Sequence, residues 1–123
     1  MKILLIALCL LIPVRAFAAC DFDTADKVLL GAATVLLVSD WAQTRSVLSR
    51  APDSDPYYEN NPILGRHPSQ ASVNLYFASA VAGTWGASCL LSDPWRKFFL
   101  GGVVGLEVSV TAQNYRLFGT WGF

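Results

Sequence analysis

The residues whose types and spacing could do chemistry are Asp40, Gln43 and Thr44, then Glu59-Asn60-Asn61-Pro62-Ile63-Leu64-Gly65-Arg66-His67-Pro68, then Glu107, Thr111 and Asn114. Asp40, Glu59, His67 and Glu107 carry oxygen and nitrogen donors of the kinds that hold a divalent metal, and a metal with an open position could activate water for hydrolysis. Without a metal, Asp40, Glu59 and Glu107 could act as acid and base, provided that burial raises one carboxyl pKa and leaves another carboxyl ionised. A structural reading stands beside these. Asp40 would accept hydrogen bonds from Gln43, Asn61 or the loop backbone, and Glu107 would bond Asn or Thr side chains on a neighbouring helix and fix the register of a bundle. Passage of a proton or an ion is a further reading. No His-Glu-x-x-His zinc signature, nucleophile motif, phosphate loop or cofactor fingerprint occurs in the chain.

Helices must position these groups. Glu107, Thr111 and Asn114 stand at i, i+4 and i+7, so one helix carries them as a stripe, with Glu107 roughly 10 Å deeper than Asn114 at 1.5 Å rise per residue. Asp40, Gln43 and Thr44 make a matching face on another helix. Three apolar stretches supply the helices: Val28 to Ala42, Ser72 to Leu91 and Phe98 to Ala112, the last interrupted by Glu107.

Composition says what surrounds them. Hydrophobic residues make up 54% of the 123 and charged ones 15%, against about a quarter charged in an ordinary soluble domain. Nine basic and nine acidic side chains cancel, which leaves no electrostatic footprint for nucleic acid. The expected class is all-α: a small transmembrane helix bundle in the bacterial inner membrane, multi-pass, with the lipid bilayer as its main partner. A soluble bundle with unusually apolar core helices is the alternative, since segments of about fifteen residues can be buried rather than spanning.

The first residues read as a secretory leader. Lys2 supplies the positive start, Ile3 to Ile12 the apolar run, Pro13 the break, and Ala16-Phe17-Ala18 the small-x-small cleavage site. Residues 1–18 are therefore expected to be a signal peptide and residues 19–123 a single helical membrane domain with three spans, or four if the leader is retained. Phe17-Ala18-Ala19-Cys20 also allows a lipobox reading with Cys20 lipidated, although Phe is a poor residue where a branched aliphatic is wanted.

Topology then gathers the polar residues. The end of the first span, the connection Arg45 to Ser69, the start of the second span and the end of the third must share one side. That side collects Asp40, Gln43, Thr44, Glu59, Asn60, Asn61, His67, Asn74, Tyr76, Thr111, Gln113 and Asn114. Gln43, Thr44, Asn61, Asn74 and Asn114 are the candidate binding residues. Asp93-Pro94 and His67-Pro68-Ser69 mark helix starts, and Pro62 to Gly65 has room for a single turn.

Small residues recur at helical spacing, with Ala78, Ala82 and Gly86 in the second stretch and Gly101, Gly105 and Ser109 in the third. In lipid such faces let backbones approach, so they are expected to pack the three helices together, and a homo-oligomer or another membrane protein could use them too. Cys20 and Cys89 fall on the opposite side from the polar residues, where an oxidising compartment would permit a disulfide; Cys89 as a plain small hydrophobe is the other reading. Trp41, Tyr57, Tyr58, Trp95, Phe98, Tyr115 and Trp121 lie near span ends, as in an interfacial aromatic belt.

Asp40-Trp41-Ala42-Gln43-Thr44, Glu59-Asn60-Asn61-Pro62-Ile63-Leu64-Gly65-Arg66-His67-Pro68 and Asn74-Leu75-Tyr76-Phe77 resemble a group of small bacterial and phage membrane proteins. That group shows an Asp-x-x-Gln-Thr, Glu-x-Asn-Pro-x-Leu-Gly-x-x-Pro pattern, and the likeness runs from Lys27 to Asn114. The resemblance marks Asp40, Thr44, Glu59, Asn61 and Pro62 as its signature and implies no activity. Two classes of function follow: a membrane-embedded hydrolase in which Asp40, Glu59 and Glu107 converge, or a non-catalytic assembly partner or holin-like protein. The apolar ending from Leu117 to Phe123 lacks the basic tail common in holins.

Overall fold

The structure is a computed structural model that describes residues 20–50, 63–65 and 68–118. Among the described residues the chain is all-helical, with α1 at Thr24–Arg50, α2 at Gln70–Leu90 and α3 at Trp95–Phe118. Each helix but α2 runs well past the apolar stretch that announces it, and α1 reaches 27 residues. Hydrophobicity marks only the part of a helix that avoids water, whereas backbone hydrogen bonding continues until a cap or a turn residue stops it.

Local chemistry sets the starts. Asp23 and Asp26 cap α1 reciprocally: the Asp26 N–H donates to Asp23 Oδ1 at 2.8 Å, and the Asp23 N–H donates to Asp26 Oδ2 at 3.2 Å. Ser69 caps α2, its Oγ accepting from the Ser72 N–H at 3.1 Å, so Pro68 precedes the cap rather than occupying the first helical position. At α3 the Pro94 carbonyl accepts the Phe98 N–H at 3.2 Å, and Asp93 gives its carboxylate to Lys97 Nζ. Before α2, Ile63 and Leu64 form a turn that ends at Gly65, whose φ of 78° is the left-handed region that glycine enters without a Cβ penalty.

α1 is the helix on which the other two pack; α2 and α3 touch one another far less. The head of α3 meets the head of α1 through Arg96 and Asp26, and their ends meet through Asn114 and Asp40, so these two helices run parallel. α2 runs the opposite way. Thr34 pairs with Trp85, Trp41 with Asn74 and Arg45 with Gln70, each step along α1 matching a step back along α2.

Buried positions recur in steps of three, four and seven: Asp26, Leu30, Ala33, Leu37, Thr44 and Val47 on α1, with Ala42 and Gln43 beside them, Val73, Phe77, Thr84 and Ser88 on α2, and Leu100, Glu107 and Thr111 on α3. Such steps keep one face of each helix turned to its partners. The α1–α2 seam is apolar near the loop end, where Leu37, Val73 and Phe77 pack with Trp41, Leu48, Leu64 and Tyr76. The α1–α3 seam is polar.

The small-residue stripes do not join the helices. Ala78, Ala82, Gly101, Gly105 and Ser109 are exposed, Gly86 is half-buried, and a Cβ added to any of these glycines would meet no atom within 4 Å. The contact faces fall on the Leu, Phe, Thr and Glu positions above, which turns the small residues outward. No helix among the described residues is long and apolar enough to cross a membrane.

Candidate functional site

The polar seam is built by two helix stripes that meet. Asn114 Nδ2 donates to Asp40 Oδ1 at 2.9 Å and to Gln43 Oε1 at 3.3 Å, while Gln43 Nε2 donates to the Thr111 carbonyl at 3.2 Å. The Thr111 hydroxyl donates back to the Glu107 carbonyl at 2.7 Å and to the Val108 carbonyl at 3.3 Å. Gln43 is fully buried and Thr44 and Thr111 nearly so. A buried amide that bonds a backbone carbonyl on another helix locks both register and rotation, because shifting either helix by one residue would strand it.

Glu107 lies in the same seam, two helical turns from Asn114, and is 8% exposed. Its Oε2 has no hydrogen-bond partner among the described residues. Asp40 and Gln43 thus share the Asn114 amide at the outer end of the seam, and Glu107 occupies the inner end.

Asn74 and Arg45 sit on the other side of α1. Trp41 Nε1 donates to Asn74 Oδ1 at 2.9 Å, Arg45 Nε donates to Gln70 Oε1 at 3.0 Å, and the Arg45 guanidinium stands 5.1 Å from the Trp41 ring centroid. Asn74 therefore belongs to the α1–α2 contact rather than to the polar seam. Glu59, Asn60, Asn61 and His67 lie outside the described residues. Among the described residues no three of His, Cys, Asp and Glu group so as to hold a metal ion.

A second polar cluster stands at the opposite end of the bundle. Cys20 and Cys89 form a disulfide, with Cα atoms 5.3 Å apart, tying the segment before α1 to the end of α2. Beside it Arg96 donates from Nε to the Ser88 carbonyl at 2.7 Å and the Leu91 carbonyl at 3.0 Å, and from Nη1 to the Asp21 carbonyl at 2.9 Å and Asp26 Oδ2 at 2.7 Å. Its guanidinium also lies 5.1 Å from the Phe22 ring centroid. One side chain so closes the end of α2, whose last carbonyls have no intrahelical donor, and ties it to α1. Lys97 Nζ adds contacts to Asp23 at 2.8 Å, Asp93 at 2.7 Å and Asp26 Oδ1 at 3.5 Å.

These charges shift one another. Burial alone would raise the Asp26 carboxyl, but the Arg96 hydrogen bond and the Asp23 backbone bond hold it below the ordinary aspartate value. Asp23 is lowered by the Lys97 hydrogen bond and then by the Asp26 N–H. Lys97 is raised by its bonds to Asp23 and Asp93.

Hydropathy patterning does not single out this cluster. The signal available is positional: Asp23 and Asp26 head the first apolar stretch, Arg96 and Lys97 head the third, and two parallel helices bring their heads together. No protein-family model, curated protein or solved structure matches the chain.

Proposed function

We propose that the chain is a small multi-span membrane protein of the bacterial envelope whose working part is the polar seam of Asp40, Gln43, Thr111, Asn114 and Glu107 near one membrane face. The observation that carries this reading is that large apolar residues face outward while, beside an apolar core, several polar residues are buried between the helices. Val28, Val35, Val38, Leu75, Leu106 and Val108 face outward, while Gln43, Thr44, Thr84, Ser88, Glu107 and Thr111 are buried. Exposed apolar residues over the middle of a bundle suit lipid better than water.

Charge distribution supports the same reading. α2 has no charged residue between Gln70 and Leu90, and α3 has only the buried Glu107 between Phe98 and Tyr115. At 1.5 Å per residue these lengths are about 30 Å and about 26 Å, close to the roughly 30 Å of a bilayer's hydrocarbon core. The helices fall short on average hydropathy; in α1 and α3, Gln43, Thr44, Glu107 and Thr111 lower the average and are buried, whereas in α2 the polar Gln70, Ser72, Asn74 and Ser79 are exposed. Hydroxyls are also satisfied within their own helices: Thr34, Ser88, Ser109 and Thr111 each donate to the carbonyl four residues earlier.

The disulfide suits an oxidising compartment, so its end of the bundle faces the periplasm and the seam opens toward the cytoplasm. Alkaline carbonate treatment of membranes from cells expressing the chain tests the reading. Retention in the pellet is expected. Release into the soluble fraction, with the disulfide intact, rejects it in favour of a soluble bundle that buries its apolar faces against a partner.

A further inference from the structure

Glu107 is the one buried carboxylate in the described residues that makes neither a hydrogen bond nor an ion pair through its Oε2. Asp26, the other buried acid, is neutralised by Arg96 and Lys97. Among the described residues nothing comparable reaches Glu107. Along α3 the nearest basic residues are Lys97 and Arg116, ten and nine positions away, which is about 15 Å and about 14 Å at helical rise. α2 carries no charged residue from Ala71 to Ser92, and the only one on α1 between Val28 and Thr44 is Asp40, another acid.

The donors of the seam are committed elsewhere. Gln43 Nε2 serves the Thr111 carbonyl, Asn114 Nδ2 serves Asp40 and Gln43, and the Thr111 hydroxyl serves the Glu107 and Val108 carbonyls. The seam is therefore rich in acceptors around a buried charge. An uncompensated carboxylate taken out of water costs several kcal/mol, which a bound positive charge removes.

We propose that the α1–α3 seam takes up one exchangeable monovalent cation at the Glu107 carboxylate, an alkali ion or a proton. This rests on the seam being the working part of a membrane bundle.

Modification by a hydrophobic carbodiimide tests it, because the reagent attacks a protonated carboxyl in apolar surroundings. The intact, disulfide-bonded protein is labelled in detergent and the modified residue is located by peptide mass spectrometry, in choline chloride and in sodium or potassium chloride of equal ionic strength. Labelling is expected at Glu107 and absent in Glu107→Gln. If the ligand is an alkali ion, labelling slows about tenfold at a salt concentration ten times the dissociation constant. If it is a proton, the rate falls with rising pH in all three salts alike. Absence of label at Glu107 under every condition, or a rate indifferent to both pH and salt, overturns the proposal. Locating the label on wild-type protein keeps the test valid if Glu107→Gln does not fold. Carbonate extraction is scored separately, so a failed membrane reading is distinguished from a failed cation site.

Discussion

Arg96 Nη1 donates to Asp26 Oδ2 across 2.7 Å, joining the head of α3 to the head of α1 with side chains 12% and 2% exposed. The same guanidinium holds the Ser88 and Leu91 carbonyls at the end of α2 and the Asp21 carbonyl before α1. The three helices and the segment before α1 converge on one side chain. Removing a partner from a buried pair leaves an unpaired charge, so Arg96→Ala and Asp26→Ala should each cost about 3 kcal/mol or more. Denaturant unfolding in detergent measures this. Arg96→Lys should recover little, because an ammonium lacks the planar fork that serves four acceptors at once.

The pH dependence of stability follows from the same cluster. Asp23 and Asp26 are held below the ordinary aspartate value of 3.8. A depressed carboxylate contributes fully above that ordinary value, and its contribution disappears as pH falls through the depressed one. Lys97 is raised above the ordinary lysine value of 10.5, so its contribution is complete below 10.5 and is lost as pH climbs through the raised value. The contribution of this cluster to the unfolding midpoint should stay level from about pH 5 to about pH 9 and fall on both sides. In Asp23→Asn both arms should shrink. A midpoint that slopes through the neutral range would assign the dominant titration to another group.

The polar seam is legible in part from sequence. Glu107, Thr111 and Asn114 at i, i+4 and i+7 place themselves on one helix face, and the shared end of α1 and α3 brings Asp40 and Gln43 to them. Which atom Gln43 chooses is not legible. It bonds a main-chain carbonyl, and that depends on interhelical distance and rotamer, neither of which spacing encodes. The Arg96 cluster is hidden because three of the acceptors it serves are backbone carbonyls, invisible in side-chain identity. The outward small residues mislead for another reason: a Gly or Ala stripe permits close approach without requiring it, and here bulkier residues hold the contact faces.

Gln43 and Glu107 should respond in opposite ways to neutralising changes. Gln43→Ala strands the Thr111 carbonyl and one Asn114 bond in a buried seam, at an expected cost of about 1–3 kcal/mol. Glu107→Gln removes a charge that nothing in the described residues compensates, so with choline as the only added cation it should be neutral or stabilising. Unfolding of both variants side by side checks the contrast. A large loss in Glu107→Gln would mean that the carboxylate is engaged as an ion.

The Cys20–Cys89 link closes 69 positions of sequence. Loop-closure entropy for that length comes to about 4 kcal/mol. The double variant Cys20→Ser with Cys89→Ser should lose a comparable amount, and wild-type protein alkylated without reductant should leave both thiols unmodified. Alkylation of either cysteine in oxidised protein would contradict the link. Arg96 still holds the Asp21 carbonyl and the Ser88 and Leu91 carbonyls when the bridge is absent, so the double variant should keep the helices together and lose stability rather than arrangement.

Gly101 and Gly105 point outward on α3, and a methyl group in place of either hydrogen would meet nothing within 4 Å. Within one chain, then, Gly101→Ala and Gly105→Ala remove a helix-weakening residue and create no clash, and each should raise stability by up to about 1 kcal/mol. Bulkier changes separate the isolated bundle from an assembly. Gly105→Leu should raise the unfolding midpoint of a monomer much as Gly105→Ala does, since leucine is also a good helix former and the added Cβ meets no neighbour, whereas a complex that brings a second helix against this face would be split by it. Light scattering in detergent before and after the substitution gives the answer. A mass that is unchanged, with stability no lower than that of wild type, leaves the face as surface that no second helix covers.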